Sequence, residues 1–270
     1  MPEGDTIARM ARTLGRWLGG RQVTAASGRV RGVAVERLVG DRVGVVESQG
    51  KHLLMRFESG RVLHTHMRMQ GSWHVYRTGQ RWPRPQAQAR VVVECGPRLG
   101  VCFNAPVVEL LVAGAERLHP ALTALGPDLV QPAPDFDEVC RRAAARPPTT
   151  LIGDVLLDQR VASGIGNVYR CEALFLHGVH PAARLAAVGE EVFSAVVTTA
   201  ARLLSANARP SAPGRVVAGS GRDVGLGPGR CWVYGRAGRP CRQCGTRVRG
   251  QRLGAHARTT YWCPACQPER

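Results

Sequence analysis

The sharpest chemical pattern in the 270 residues is Cys241-x2-Cys244-x18-Cys263-x2-Cys266. Each CxxC knuckle presents two thiolates from one tight turn, and the segment between them is long enough for a hairpin that closes the pairs into a tetrahedron, as in a zinc ribbon. Four thiolates fill the coordination shell, so one structural Zn2+ is expected and catalysis belongs elsewhere. The N-terminus, Met1-Pro2-Glu3-Gly4, is a candidate. A small second residue favours removal of the initiator Met, which leaves Pro2 with a secondary amine. An α-amino group titrates near about pH 8, below a lysine, so a useful fraction is unprotonated at neutral pH. Attack by a secondary amine on a sugar C1′ gives an iminium with no N–H proton to lose, an electron sink suited to β-elimination. Glu3 is either the acid this chemistry needs or a partner of the helix N-terminus.

Composition singles out a third residue. Lys and Arg total 37 against 20 Asp and Glu, a formal net charge of +17, which points to a polyanionic partner. All the basic residues but one are Arg, so most of the Arg excess reads as compositional bias; the exception is Lys51, in Gln49-Gly50-Lys51-His52-Leu53-Leu54. A compact ammonium donates to one oxygen or shares a proton with a carboxylate in ways a guanidinium does not copy, although one unreplaced Lys also fits chance. Two phosphate-binding candidates follow. Leu157 to Tyr169 joins two helices through Gly164-Ile165-Gly166, which aims the start of a helix at Asn167 toward an anion, with Arg160 and Arg170 beside it; an ordinary αα-hairpin is the alternative. Between the cysteine knuckles lie Arg247, Arg249, Arg252, His256 and Arg258 with no acidic residue, as suits a hairpin laid on phosphates or a merely solvated basic face.

The elements that must position these residues change in texture along the chain. Ile7, Met10, Leu14, Trp17 and Leu18 predict an amphipathic helix over 5–18, with Asp5 or Thr6 as N-cap and Gly19-Gly20 as stop. Short apolar or alternating runs then predict strands at 33–39, 43–47, 52–57, 62–66, 73–76, 90–95 and 107–112, an antiparallel sandwich or barrel. After Glu116 the pattern becomes helical near 135–145, 151–158, 167–177 and 189–206, and 209–230 reads as a Gly, Pro, Ser and Arg-rich loop. The fold class is therefore α+β and multidomain: an N-terminal helix and antiparallel β-sandwich over 1–116, a helical domain over 117–214, and a loop with a four-cysteine zinc finger over 215–270. No run approaches 18 apolar residues, and Glu3 and Asp5 stand where a signal peptide would be basic and apolar, so a cytosolic protein with no membrane partner is expected. Nine Cys without an export signal argue for reduced thiols or metal.

Taken in order, Pro2-Glu3-Gly4, Gly50-Lys51-His52-Leu53-Leu54, His66 to Trp73, Asp158 to Tyr169 followed by Glu172-Ala173-Leu174-Phe175, Trp232 to Arg236, and the Arg258 to Gln267 finger resemble the formamidopyrimidine-DNA glycosylase and endonuclease VIII family of DNA repair enzymes. The resemblance implies a helix-two-turn-helix domain beside the sandwich, a zinc finger, and damaged double-stranded DNA, bubble or single-stranded DNA being open, bound by a bacterial cytoplasmic monomer. It implies Pro2 as Schiff-base nucleophile, Glu3 as general acid, and Lys51 in proton transfer or phosphate contact. Asn167 and Arg258 match residues that grip phosphates around the flipped nucleotide, Arg258 thereby joining the catalytic set; His66 matches another backbone contact. Arg68-Met69-Gln70 matches the loop that fills the gap left by the extruded base, with Met69 as wedge or, alternatively, as core. Gly4 in place of Leu-Pro, and a 209–230 loop too short for a purine-capping segment, favour the endonuclease VIII branch and oxidised pyrimidines. Asp5 departs from the Pro common in that branch. An oxidised-purine glycosylase and a non-catalytic damaged-DNA binder are the alternatives.

Overall fold

The computed structural model describes residues 2–209, 231–255 and 257–269. The loop expected over 209–230, beyond its first residue, and His256 lie outside the described residues. The chain divides into two compact units, Met1–Ala124 and Leu125–Arg270.

The first unit opens with α1 (Gly4–Leu18) and builds two antiparallel sheets from β1 (Ala25–Gly28), β2 (Val43–Gln49), β3 (His52–Phe57), β4 (Val62–His66), β5 (Ser72–Arg77), β6 (Ala89–Cys95), β7 (Arg98–Phe103) and β8 (Val107–Leu111). One sheet has the order β1-β6-β7-β5 and the other β2-β3-β4-β8. Period-2 alternation divides the second sheet into faces. Leu53, Met55, Phe57, Leu63 and Val108 join the core with Ile7, Ala11, Leu14 and Leu18 of α1 and Val91, Val93 and Cys102 of the other sheet. His52, His64, His66 and Glu109 alternate with those residues and take the opposite face. The helix approaches β7 so closely that a Cβ on Gly100 would lie 2.9 Å from Leu18 Cδ1 and 3.0 Å from Leu14 Cδ2.

Two expectations are corrected. The helix starts at Gly4 with Glu3 in extended conformation as N-cap residue, earlier than an Asp5 or Thr6 cap would allow, and the Glu3 side chain makes no capping bond. The 33–39 run is no strand: Val35–Leu38 forms a 3-10 turn, because Gly32 turns the chain at φ +78° and spacing of three drives both Val35 and Leu38 into the core. Strands β1 and β7 add to the six predicted runs that form strands. Strand β7 lies between β6 and β5 and is buried along nearly its whole length, so it shows no alternation to read.

The single turn α2 (Pro120–Thr123) ends the first unit. In the second, α3 (Phe136–Ala144), α4 (Ile152–Val155), α5 (Asn167–Leu176), α6 (Leu185–Val188) and α7 (Glu190–Ala208) precede the hairpin β9 (Arg249–Leu253) and β10 (Arg258–Trp262). Val168, Tyr169 and Leu174 of α5 pack with Phe193, Val196, Val197 and Leu204 of α7 in one core. The other side of α5 shares a smaller core with the finger, through Cys171 and Phe175 against Val233, Val248 and Cys263. Among the described residues no helix is long and apolar enough to cross a membrane.

Candidate functional site

In the first unit the packing of α1 on β2 fixes which residues share an end. A Cβ on Gly19 would approach Gly44 O at 3.6 Å, and one on Gly15 would meet Val46 Cβ at 3.8 Å, so helix and strand run in opposite directions. From Gly15 back to Gly4 is about 16 Å of helix, at about 1.5 Å per residue. From Val46 on to Lys51 is about 16 Å of strand, at about 3.3 Å per residue. Pro2 and Glu3 therefore emerge at the same end of the unit as Lys51. Gln49 and His52 pair across the β2–β3 hairpin, so Gly50-Lys51 is its two-residue tip, and Gly50 supplies the φ of +57° that such a turn requires. Glu3 is fully buried while Pro2 and Lys51 are partly exposed.

His66 ends β4, directly opposite His52 across the β3–β4 pair. Burial, followed by the charge of Lys51, pulls its pKa down to about 4, so it is neutral at physiological pH. It is followed by a tight turn in which Gly71 N–H donates to Met67 O at 2.9 Å. Met67 is wholly buried, whereas Met69 is 64% exposed between exposed Arg68 and Gln70, and Arg68 holds a left-handed φ of +43°. Met69 is thus no core residue: it is a large apolar side chain at the tip of a strained turn.

In the second unit the turn before α5 is held by the Gln159 carboxamide, which donates to Leu157 O (2.9 Å) and Ile165 O (3.0 Å) and accepts from Gly164 N–H (3.1 Å). Asn167 is the first residue of α5, and its Nδ2 donates to Thr259 O at 2.8 Å. Thr259 adjoins Arg258 on β10, so Asn167 and Arg258 are brought together, one from a helix start and one from the finger hairpin. The expectation for Arg170 is corrected. It is only 1% exposed and donates to Asn167 Oδ1 and, at 2.6 Å, to Thr260 Oγ1, so it holds the clamp to the finger from behind rather than facing an anion. Arg160 is exposed and chelates Asp158 through two bonds of 2.9 and 3.0 Å.

The four cysteine Sγ atoms converge within 4.8 Å of one another, with Cys244 to Cys263 at 3.4 Å and Cys241 to Cys266 at 4.0 Å. A tetrahedron with metal–sulfur bonds of about 2.3 Å has sulfur–sulfur edges of about 3.8 Å, so the set fits a metal ion of zinc type. Two further anchors seat the finger on the helices. The buried carboxylate of Glu172 accepts from three successive backbone N–H groups, Trp232 (2.7 Å), Val233 (3.0 Å) and Tyr234 (2.8 Å). Burial outweighs these bonds and lifts its pKa to about 7. At the hairpin turn Asp154 accepts from Ala255 N–H at 2.9 Å, and Gly254, at φ +73°, lies so close that a Cβ would overlap Asp154 Oδ1.

Comparison with known proteins places these two units in a family. The formamidopyrimidine-DNA glycosylase N-terminal domain matches residues 1–106, and the formamidopyrimidine-DNA glycosylase H2TH domain matches residues 125–212. The chain is 42% identical to a probable endonuclease 8 2 of Streptomyces coelicolor, covering 99% of this chain and 94% of that one. The chain belongs to the formamidopyrimidine-DNA glycosylase and endonuclease VIII family. It is also 37% identical, over 99% of both chains, to a DNA-(apurinic or apyrimidinic site) lyase Nei2 of Mycolicibacterium smegmatis. Among solved structures, the MutM (Fpg) protein of Thermus thermophilus superposes with a TM-score of 0.79 at 26% identity over the whole of both chains. Within this family, the positions of two residues are not evident from sequence alone. Arg170 is expected beside the phosphate clamp, and its burial and its bonds to Asn167 and Thr260 give it an anchoring role instead. Glu109 carried no signal of its own, although His64-Thr65-His66 opposite His52 already put histidines on one face of a predicted hairpin.

Proposed function

We propose that this chain is a bifunctional DNA glycosylase and abasic-site lyase of base excision repair that removes oxidised bases, chiefly pyrimidines, from damaged double-stranded DNA through a Schiff base on Pro2. Membership of the family carries the glycosylase and lyase activity. What supports the assignment to residues is that the α1 start, with Pro2 and Glu3, lies at the same end of the unit as the Lys51 hairpin tip. Identity with endonuclease 8 proteins favours pyrimidines.

The chemistry follows from these positions. A damaged base inside the stack is out of reach, so the nucleotide is flipped at a cost of a few kcal/mol, and a side chain from the exposed turn, Met69, fills the gap. Asn167 and Arg258 hold the flanking phosphates, and His66, neutral, donates to another. Pro2 displaces the base at C1′, Glu3 delivers a proton at the opening sugar ring, and the iminium drives loss of the 3′ phosphate and then the 5′ phosphate, with Lys51 exchanging protons at the reacting sugar. Cys241, Cys244, Cys263 and Cys266 hold one Zn2+, which supplies only rigidity to the hairpin that carries Arg258.

Borohydride should trap a covalent adduct between the protein and a duplex containing an abasic site or thymine glycol, and Pro2→Gly should remove most of that adduct. Absence of any adduct from protein whose mass shows Met1 removed would overturn the assignment and leave a damaged-DNA binder. Faster cleavage of 8-oxoguanine than of thymine glycol or 5-hydroxyuracil would move the enzyme to purines.

A further inference from the structure

Three histidines and a glutamate form a continuous chain of hydrogen bonds across the outer face of the β2-β3-β4-β8 sheet. His64 and Glu109 are direct cross-strand partners between β4 and β8, and His64 Nδ1 lies 2.7 Å from Glu109 Oε2. The other nitrogen of the same ring, Nε2, lies 2.8 Å from His52 Nδ1, and the two rings stack with centroids 5.0 Å apart. His119, from the segment that enters α2, brings its Nε2 to 3.0 Å from the same Glu109 oxygen. His52 immediately follows Lys51, and its ring meets that of His66 edge-on at 4.6 Å.

One end of this chain decides every proton in it. A carboxylate only accepts, so His64 donates from Nδ1 and His119 from Nε2. Neutral His64 then has a bare Nε2, which accepts from His52 Nδ1–H, and neutral His52 is left with a bare Nε2 on a ring that feels the charge of Lys51. His119 Nδ1, buried without a partner, is the bare nitrogen this pattern requires. The charge states agree. Burial, with His66, His64, His119 and Lys51 adding to it, brings His52 down to about 3; burial also lowers His64, against the opposing pull of Glu109. Burial acts to raise Glu109, but its hydrogen bonds with His64 and His119 hold it below the usual carboxylate range. Lys51, His66 and His119 are the cationic or titratable groups that bear on the chain from the hairpin tip, β4 and the α2 entry, and Arg68 bears on His66.

We propose that His52, His64 and Glu109 form a proton relay that serves Lys51 and opens to solvent at Glu109. The proposal rests on Lys51 belonging to the reacting centre. A proton leaving the Lys51 ammonium forms an N–H bond at His52 Nε2. The His52 Nδ1 proton then passes to His64 Nε2, and the His64 Nδ1 proton passes to Glu109, whose side chain is 40% exposed and returns it to water. Three N–H bonds break, two N–H bonds and one O–H bond form, and one proton has crossed the sheet without leaving a charge in its interior; the reverse sequence recharges Lys51. In this scheme His52, His64 and Glu109 are positioning residues that act through Lys51.

Two measurements test it. Imidazole 15N spectra of the intact, metal-loaded protein at pH 7.5 should show Nδ1–H tautomers at His52 and His64 and an Nε2–H tautomer at His119. An Nε2–H tautomer at His52 or His64 overturns the relay whatever the activity. Single-turnover cleavage of an abasic-site duplex should be about tenfold slower in Glu109→Gln, less than the about 100-fold or more of a group that transfers the proton at the reacting atoms, because Glu109 acts through Lys51. The acidic limb of its pH profile should move, and affinity for an uncleavable abasic analogue should not. A rate and pH profile equal to those of the unaltered protein would overturn the relay. Failure of the unaltered protein to form any borohydride adduct would instead defeat the Pro2 chemistry, and the spectra would still decide the relay. Cobalt provides a control, because His64, Glu109 and His119 also present donor atoms within 4.8 Å of one another. A second cobalt equivalent without thiolate absorption, lost in His119→Ala, would make these residues a metal site and overturn the relay.

Discussion

At the residue scale, function is most legible where chemistry restricts residue type. Lys51 stands out because every other cation is Arg, and its position at a two-residue hairpin tip gives the exception a place. Lys51→Arg keeps the charge but loses the compact, titratable ammonium. Abasic-site cleavage should fall by about 100-fold or more, the order supplied by a proton-transfer group, while affinity for an uncleavable abasic analogue holds; undiminished cleavage would show that Lys51 contributes charge alone. The cysteines are legible for the same reason, since CxxC pairs have few other uses. Arg170 and Glu172 are not, because partners far along the chain, Thr260 for one and Val233 for the other, fix their roles. Glu172→Ala leaves three adjacent backbone donors without their acceptor, and a buried donor so stranded costs about 1–3 kcal/mol. The second unit should lose several degrees or more of thermal stability while the first keeps its own, and an unchanged melting profile would refute the anchor.

At the scale of elements, the hairpins and long helices follow from pattern, and the misses have physical causes. Strand β6 alternates buried with half-buried residues, because one face meets the core and the other is partly exposed. Strand β7 is covered on both faces and has Gly100 where α1 passes, so neither alternation nor propensity marks it. The finger hairpin is legible only as two knuckles and a basic stretch; its seat on Asp154 belongs to tertiary structure. Gly254 makes that seat possible, since it combines a left-handed φ with a gap that no Cβ can enter. Gly254→Ala should therefore shift the hairpin and carry Arg258 away from Asn167, weakening DNA binding at least as much as Arg258→Ala. Removing the Arg258 guanidinium should lower the slope of log affinity against log salt by about one unit. An unaltered slope would mean that Arg258 reaches no phosphate.

At the scale of the whole molecule, two units with separate cores respond to different perturbations. The first depends on histidines that remain neutral: folded His52 and His66 titrate at about 3 and about 4, against the usual 6.5 of an unfolded chain. Between those values and pH 6.5 the unfolded chain binds protons that the folded unit refuses, so stability rises with pH over that window. The contribution is complete above about pH 6.5 and is lost as the pH falls toward about 4 and then about 3. The second unit depends on four thiolates around a metal, whose binding is coupled to folding of the finger. Calorimetry of the full chain separates these dependences. At pH 7.5 a chelator should lower only the transition of the second unit and abolish DNA binding, since Arg258 rides on the finger. In metal-free protein, where the finger no longer responds to acid through its ligands, lowering the pH from 7 to 4.5 should move the transition of the first unit downward. His52→Gln should reduce that slope, because one of the groups that must stay uncharged is gone. A single transition that moves under both treatments would show that the units share one cooperative core.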